Sequence, residues 1–414
     1  MQRDDAVHKK RQILYSLFLL GCICLLSGCS LLSSSDSTST SNSNSSITKP
    51  ENTSITPTPT PDPMKSRAQA LLSKMSLNDK FAQMIVVEYL GSSYADSGLQ
   101  QMVAQQHVGG FLYQESDGNF KWPVNTIDTL HTFSAQATAD AATAPLIAID
   151  QEGGTVSKTS AFFGPKPSAE ELAQSGDPKT AYDQAKTDAG EMKQLGINAN
   201  LAPVVDVGPD TTLYESRFFS ANANTVATYA GSFIKGLQDN SIPGTLKHFP
   251  GLGSSDAVDP HSGLPVVTKS LDDLQKSDFV PYKKIIQQDN PAMIMTTNVV
   301  TQALDPNTPA ELSPKVLDYL RHTLNYNGVI ITDGLYMNGL YNGVNPTPDQ
   351  FVQVCVQAIK AGNDMIEGPS TPDEVSGILA SLNAAIQNGS LTQSQVDQSV
   401  SRILLMKLKY GIIK

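Results

Sequence analysis

The chain has 414 residues, 17% of them charged and 40% hydrophobic, enough for one large domain or two ordinary ones and ample for a packed core. Its 40 acidic residues outnumber 29 basic ones, and a formal net charge of −11 argues against a nucleic-acid binder that neutralises phosphates. Of only 4 cysteines, Cys22, Cys24 and Cys29 crowd into one N-terminal apolar region, which excludes a disulfide-built scaffold.

The N-terminus reads as an address. Arg3, Lys9, Lys10 and Arg11 precede an apolar run at 13–26, shorter than the ~20 residues a membrane span needs. Leu26-Ser27-Gly28-Cys29 follows and resembles a bacterial lipoprotein box, which implies cleavage before Cys29 and a lipid on its thiol. Residues 1–28 are therefore the expected signal peptide, and the protein is expected outside the cytoplasm, lipid-anchored to the membrane. Residues 29–63 are mostly Ser, Thr, Asn and Pro, ending in alternating Thr and Pro. Such a stretch cannot bury enough apolar surface to offset its ordering entropy, so it reads as a flexible tether. Residues 64–414 form the expected folded body.

Within that body, short β-branched runs alternate with longer amphipathic stretches. Strands are predicted at 83–87, 110–113, 146–150, 199–207, 245–249, 292–299, 329–333 and 365–367. Helices are predicted at 180–195, 225–238, 271–288, 314–324 and 350–361, with two more at 372–387 and 393–410. Gly196, Gly328 and Gly362 stand where helices should stop. Alternation of this kind implies a parallel sheet, and eight units suit an α/β fold of the (β/α)8 TIM-barrel type in one catalytic domain with C-terminal helices. A doubly wound open sheet is the alternative. No Gly-x-Gly-x-x-Gly follows the first strand, which weakens a dinucleotide-binding reading. Asp150, Asp206, Lys247, His248, Asn298 and Asp333 fall at predicted strand ends. In a barrel these positions converge on the face that carries the active site.

Three segments carry a recognisable pattern: Asp150-Gln151-Glu152-Gly153-Gly154, Lys247-His248-Phe249-Pro250-Gly251 and Ile331-Thr332-Asp333-Gly334. Together with Leu201-Ala202-Pro203-Val204-Val205-Asp206 and Ala361-Gly362-Asn363-Asp364-Met365, they resemble glycoside hydrolase family 3, more narrowly its β-N-acetylglucosaminidase branch. The resemblance spans 65–414. It implies retention of configuration through a covalent glycosyl-enzyme, with Asp333 at the nucleophile position. It further implies that His261, oriented by Asp259, acts as acid and then base from a loop after strand five. An imidazole titrates near neutrality, so it suits giving and retaking a proton. By the same resemblance Asp150, Lys158, Arg217, Lys247 and His248 bind the sugar, while Asp206 organises the strand-four loop. Lys158 stands where the branch has Arg, and a lysine offers a point charge in place of a planar fork. Pro260 replaces a Ser or Thr of the branch, Leu252 stands for a His, and Thr297-Asn298 stands for Ala-His.

The leading expectation is an exo-β-glycosidase that removes terminal β-linked N-acetylglucosamine from peptidoglycan fragments or chitooligosaccharides. Phosphorolysis is a variant, and a related family 3 enzyme acting on another sugar, such as β-glucose, is an alternative. A third reading is a non-catalytic, wall-binding lipoprotein on the same barrel. No cofactor or metal is expected, since no His/Cys cluster has ligand spacing. A monomer is expected, with carbohydrate and the membrane as partners and no nucleic acid. Cys355 reads as an inert core thiol.

Overall fold

The computed structural model of the chain describes residues 62–89, 91–95, 98–114, 125–209, 216–255 and 258–414. The expectations for the signal peptide, for Cys29 and for nearly all of the tether fall outside these residues. Eight strands form one parallel sheet: β1 (Ile85–Tyr89), β2 (Gly110–Tyr113), β3 (Leu146–Ile149), β4 (Ala199–Asn200), β5 (Thr245–Phe249), β6 (Met293–Thr296), β7 (Val329–Gly334) and β8 (Met365–Glu367). Each pairs with its sequence neighbour, and β1 pairs with β8. Between β4 and β5 the ladder thins to two bridges, Asn200 to Gly244 and Val204 to Lys247. The sheet is thus a nearly closed (β/α)8 barrel, and its strands are buried on both faces, as a sheet jacketed by helices requires.

The helices outside it follow local chemistry. The one at Pro348–Ala361 begins with Thr347 and Gln350 capping each other's backbone and with Pro348 in its first turn, where a missing N–H is harmless. It stops at Gly362, whose φ of 119° only glycine adopts easily. Gly196 ends its helix likewise, at φ 74°. Gly328 does not play the predicted part; Asn325, at φ 56°, takes the left-handed position three residues earlier. The C-terminal helix Gln393–Lys409 packs on Pro63–Leu72, closing the barrel's outer ring between the first and last segments described. Its Lys407 is fully buried and donates to Gln83 Oε1 and to the Gly109 carbonyl, both at 2.8 Å. Cys355 is also fully buried, and burial pushes its thiol well above the usual range.

Candidate active site

The strand tips and the segments that follow them surround a cavity of about 320 Å³. Asp150, Lys158, Arg217, Lys247, His248, Asp259, His261 and Asp333 all line it. A larger hollow of about 550 Å³ is built from residues that precede β1, β2 and β3, so it opens on the opposite barrel face.

Asp333 sits near the end of β7, half-buried. Thr297 Oγ1 donates to its Oδ2 at 2.7 Å, and the Gly334 N–H donates to its Oδ1 at 2.9 Å. Two donors on two oxygens fix the plane of the carboxylate. Thr297 follows β6, so adjacent strand ends hold the group.

β5 supplies Lys247 and His248, both buried. Lys247 Nζ reaches Asp150 Oδ1 at 2.5 Å and Glu152 Oε1 at 2.7 Å. Glu152 also takes a two-pronged contact from Arg217, Nε at 2.8 Å and an Nη at 2.9 Å. Burial alone would raise the Glu152 carboxyl, but the Arg217 and Lys247 charges outweigh it and hold it far below the usual carboxylate range. The same carboxylates, Asp150 first, hold Lys247 above the ordinary lysine value against the burial that would lower it. Arg217 therefore presents its fork to Glu152 as well as lining the cavity. His248 Nδ1 pairs with Asp206 Oδ2 at 2.7 Å, while Asp206 Oδ1 accepts the Leu252 N–H at 2.7 Å. Asp206 is almost fully buried and ties β5 to the loop after it.

That loop carries Asp259-Pro260-His261. The Asp259 Oδ1 accepts the His261 backbone N–H at 2.9 Å and pairs with its Nδ1 at 2.8 Å. Burial raises the Asp259 carboxyl, yet these two bonds and the imidazole charge together keep it below the usual range. With Nδ1 engaged, Nε2 is the ring nitrogen left for proton transfer. The imidazole is 67% exposed. The Pro260 carbonyl accepts from Asn298 Nδ2 at 3.0 Å and from the Gly339 N–H at 3.2 Å, which ties this loop to the segments after β6 and β7. A Cβ on Gly339 would lie 2.2 Å from the Gly263 carbonyl oxygen, so only glycine allows this approach.

Four polar side chains here were assigned no role from the sequence. Thr297 and Asn298, which the sequence showed as departures from the branch's pattern and Asn298 also as a strand-end residue, hold the Asp333 carboxylate and the Pro260 carbonyl respectively. Glu311 is fully buried near Asp333, both its carboxyl oxygens lack partners, and burial and then the Asp333 charge push it well above the usual range. Glu367, at the tip of β8, lines the cavity beside Asp333. Glu367 ends the predicted strand 365–367, so its place at a strand tip was a signal the sequence offered, whereas Glu311 lies between predicted elements where nothing marks it. Among the described residues no group of three or more His, Cys, Asp or Glu is arranged to hold a metal ion.

Residues 76–406 match the model of the glycosyl hydrolase family 3 N-terminal domain. The chain belongs to glycoside hydrolase family 3. It is a glycoside hydrolase of the hexosaminidase type: it is 34% identical over 342 residues to β-hexosaminidase LpqI of Mycobacterium tuberculosis, covering 80% of this chain and 83% of that one. It is 31% identical over 338 residues to β-hexosaminidase A of Pseudoalteromonas piscicida, covering 75% and 55% respectively. Among solved structures, that of M. tuberculosis LpqI superposes with a TM-score of 0.72 at 32% identity, over 82% of this chain and 96% of that one. A family 3 β-N-acetylglucosaminidase from Paenibacillus gives 0.73 at 29% identity, over 82% and 63%. As a glycoside hydrolase it acts on a carbohydrate substrate.

Proposed function

We propose that this glycosidase removes a terminal, non-reducing β-linked N-acetylglucosamine with retention of configuration, from peptidoglycan fragments or chitooligosaccharides. The observation that carries the reading is the meeting of Asp333 with the Asp259–His261 pair in one cavity that also holds Asp150 and Lys247. In the first step an Asp333 oxygen bonds to C1 as the glycosidic C1–O bond breaks. The imidazolium of His261 gives its Nε2 proton to the departing oxygen. In the second step water attacks C1, Nε2 takes a proton from it, and the C1–Asp333 ester breaks to regenerate both groups. Asp259 holds the ring in register throughout and offsets the imidazolium charge. Asp150, Lys247 and His248 bind the sugar hydroxyls, and Lys158 and Arg217 complete the cationic side of the pocket.

We further propose that the protein is a monomer held at the outer face of the membrane by a lipid on Cys29, with 29–63 as tether. Among the described residues no helix is long and apolar enough to cross a membrane. Cys29→Ser should move the full chain from the detergent phase to the aqueous phase; unchanged partitioning would reject the lipid.

The activity is tested with nitrophenyl glycosides. Release from the β-N-acetylglucosaminide should exceed release from the β-glucoside by at least ~100-fold, a selectivity expected when a site bonds a polar substituent. Faster glucoside cleavage would contradict the sugar assignment. Silence on both, with glycan binding retained, would favour a non-catalytic wall-binding protein.

A further inference from the structure

One arc of the cavity wall plays no part in the bond-breaking steps. β8 ends in Glu367, in register with Gly334 and so beside the tip of β7 that carries Asp333. Glu367 lines the cavity, is only 3% exposed, and its Oε1 has no hydrogen-bond partner. Glu88, on β1, is likewise buried and accepts from Gln114 Nε2 at 2.9 Å. Gln114 and Tyr336 line the same arc. Burial, then the charges of Glu88, Asp333 and Asp150, pushes the Glu367 carboxyl well above the usual carboxylate range. Its carboxyl group can accept hydrogen bonds from a ligand and, where it holds a proton, give one. A buried oxygen without a partner costs free energy, and ligand sites are where such costs are offset by what binds.

Attack at C1 limits which part of a sugar meets this arc. Asp333 must lie against C1, whose ring neighbours are C2, bearing the acetamido group, and O5, leading to C5 and the hydroxymethyl group. On the barrel rim β7 likewise has two neighbours. Toward β6 and β5 the lining includes the apolar Met295 and Leu252; toward β8 it is Glu367, Tyr336 and Gln114. An acetamido methyl suits the first side and a hydroxymethyl the second. We propose that Glu367, backed by Glu88, is a specificity-determining residue that binds the 6-hydroxyl of the terminal sugar. The inference rests on the glycosidase reading of the cavity, and its test is therefore read by binding as well as by turnover.

Calorimetry on the full chain would compare N-acetylglucosamine with its 6-deoxy and 4-deoxy analogues, for wild type, Glu367→Ala and Glu367→Gln. Wild type should bind the 6-deoxy sugar about 10- to 100-fold more weakly than the parent, the span for a hydrogen bond to an acidic group. Glu367→Ala should weaken the parent sugar by a similar factor and then be indifferent, within about threefold, to loss of the 6-hydroxyl. It should still discriminate against the 4-deoxy sugar as wild type does. Glu367→Gln, which keeps a donor and an acceptor, should restore most of the 6-hydroxyl preference. The same pattern is expected in KM for the nitrophenyl substrates, with kcat less affected. The proposal is overturned if wild type ignores the 6-hydroxyl, or if a folded Glu367→Ala protein keeps the wild-type preference for it. A wild type that binds with that preference but hydrolyses nothing would reject the glycosidase reading while supporting the contact.

Discussion

Asp333 is aimed by two donors that differ in kind. The Gly334 N–H belongs to the backbone and comes with the strand; the Thr297 hydroxyl belongs to a side chain and is removable. Thr297→Val keeps the shape and loses the donor, so kcat should fall about 10- to 100-fold while Thr297→Ser stays near wild type, as expected for misplacement of a nucleophile. Steady-state rates on the nitrophenyl substrate measure both. Asp333→Ala should remove activity by about 10,000-fold or more. His261→Ala should depend on the leaving group: small losses with nitrophenol, which needs little protonation, and large losses with a disaccharide. Equal losses on both would remove His261 from its assigned role. Glu152 belongs to the same scale but to stability. It is buried against two cations, and Glu152→Ala would leave both without their shared partner, a change that costs on the order of 3 kcal/mol or more in a buried pair and is read from denaturant unfolding.

At the scale of elements, agreement with the sequence pattern depends on how local the cause of each element is. β2, β5 and β8 have the predicted limits, because each is a short segment flanked by turn or helix-stop residues such as Gly109, Gly244 and Gly368 that bound it locally. The predicted strand 199–207 survives as β4 for only two residues. Pro203 cannot donate to a ladder, and the segment keeps contact with β5 through single bonds such as Val205 N–H to the Lys247 carbonyl, 2.7 Å. The predicted helix 271–288 is two helices, Leu271–Lys276 and Phe279–Asp289. Between them Asp278 turns inward to accept from Lys269 and Ser254, a tertiary contact that helical periodicity does not encode. The predicted helix 314–324 changes to a π-helix at Tyr319–Thr323 for which the sequence offers no signal. Buried Lys407 on the last helix yields a pH prediction. Burial lowers it to about 7, below its unfolded value near 10.4, so between these pH values the unfolded chain binds more protons and stability rises with pH. Below about pH 7 the full penalty of a buried ammonium remains. Unfolding curves of wild type and Lys407→Met, taken from pH 6 to 10, should converge or cross as pH rises; a constant difference would refute the assignment.

For the whole molecule, the barrel explains why motifs far apart in the chain were legible together. Asp150, His248 and Asp333 sit at or next to the ends of β3, β5 and β7, and a nearly closed parallel sheet brings those ends to one rim. What was not legible is the partner of each remaining group: Asn298 holding the Pro260 carbonyl, Glu311 buried near Asp333 and Glu367 beside Glu88, each meaningful only through a neighbour distant in sequence. The described body spans 62–414 with a continuous hydrophobic core. A chain lacking residues 1–61 should keep its kcat/KM within about twofold and sediment as a monomer, since the described residues that line the cavity run from Leu112 to Glu367; a large loss would assign the N-terminal segment a part in the site. The most direct test of the account is to trap the enzyme with a 5-fluoro-N-acetylglucosaminyl fluoride, which slows release of the ester, and to locate the sugar by peptide mass spectrometry. The account predicts one sugar per chain, esterified to Asp333. An active enzyme that yields no trapped sugar, or carries it on any other residue, would contradict it.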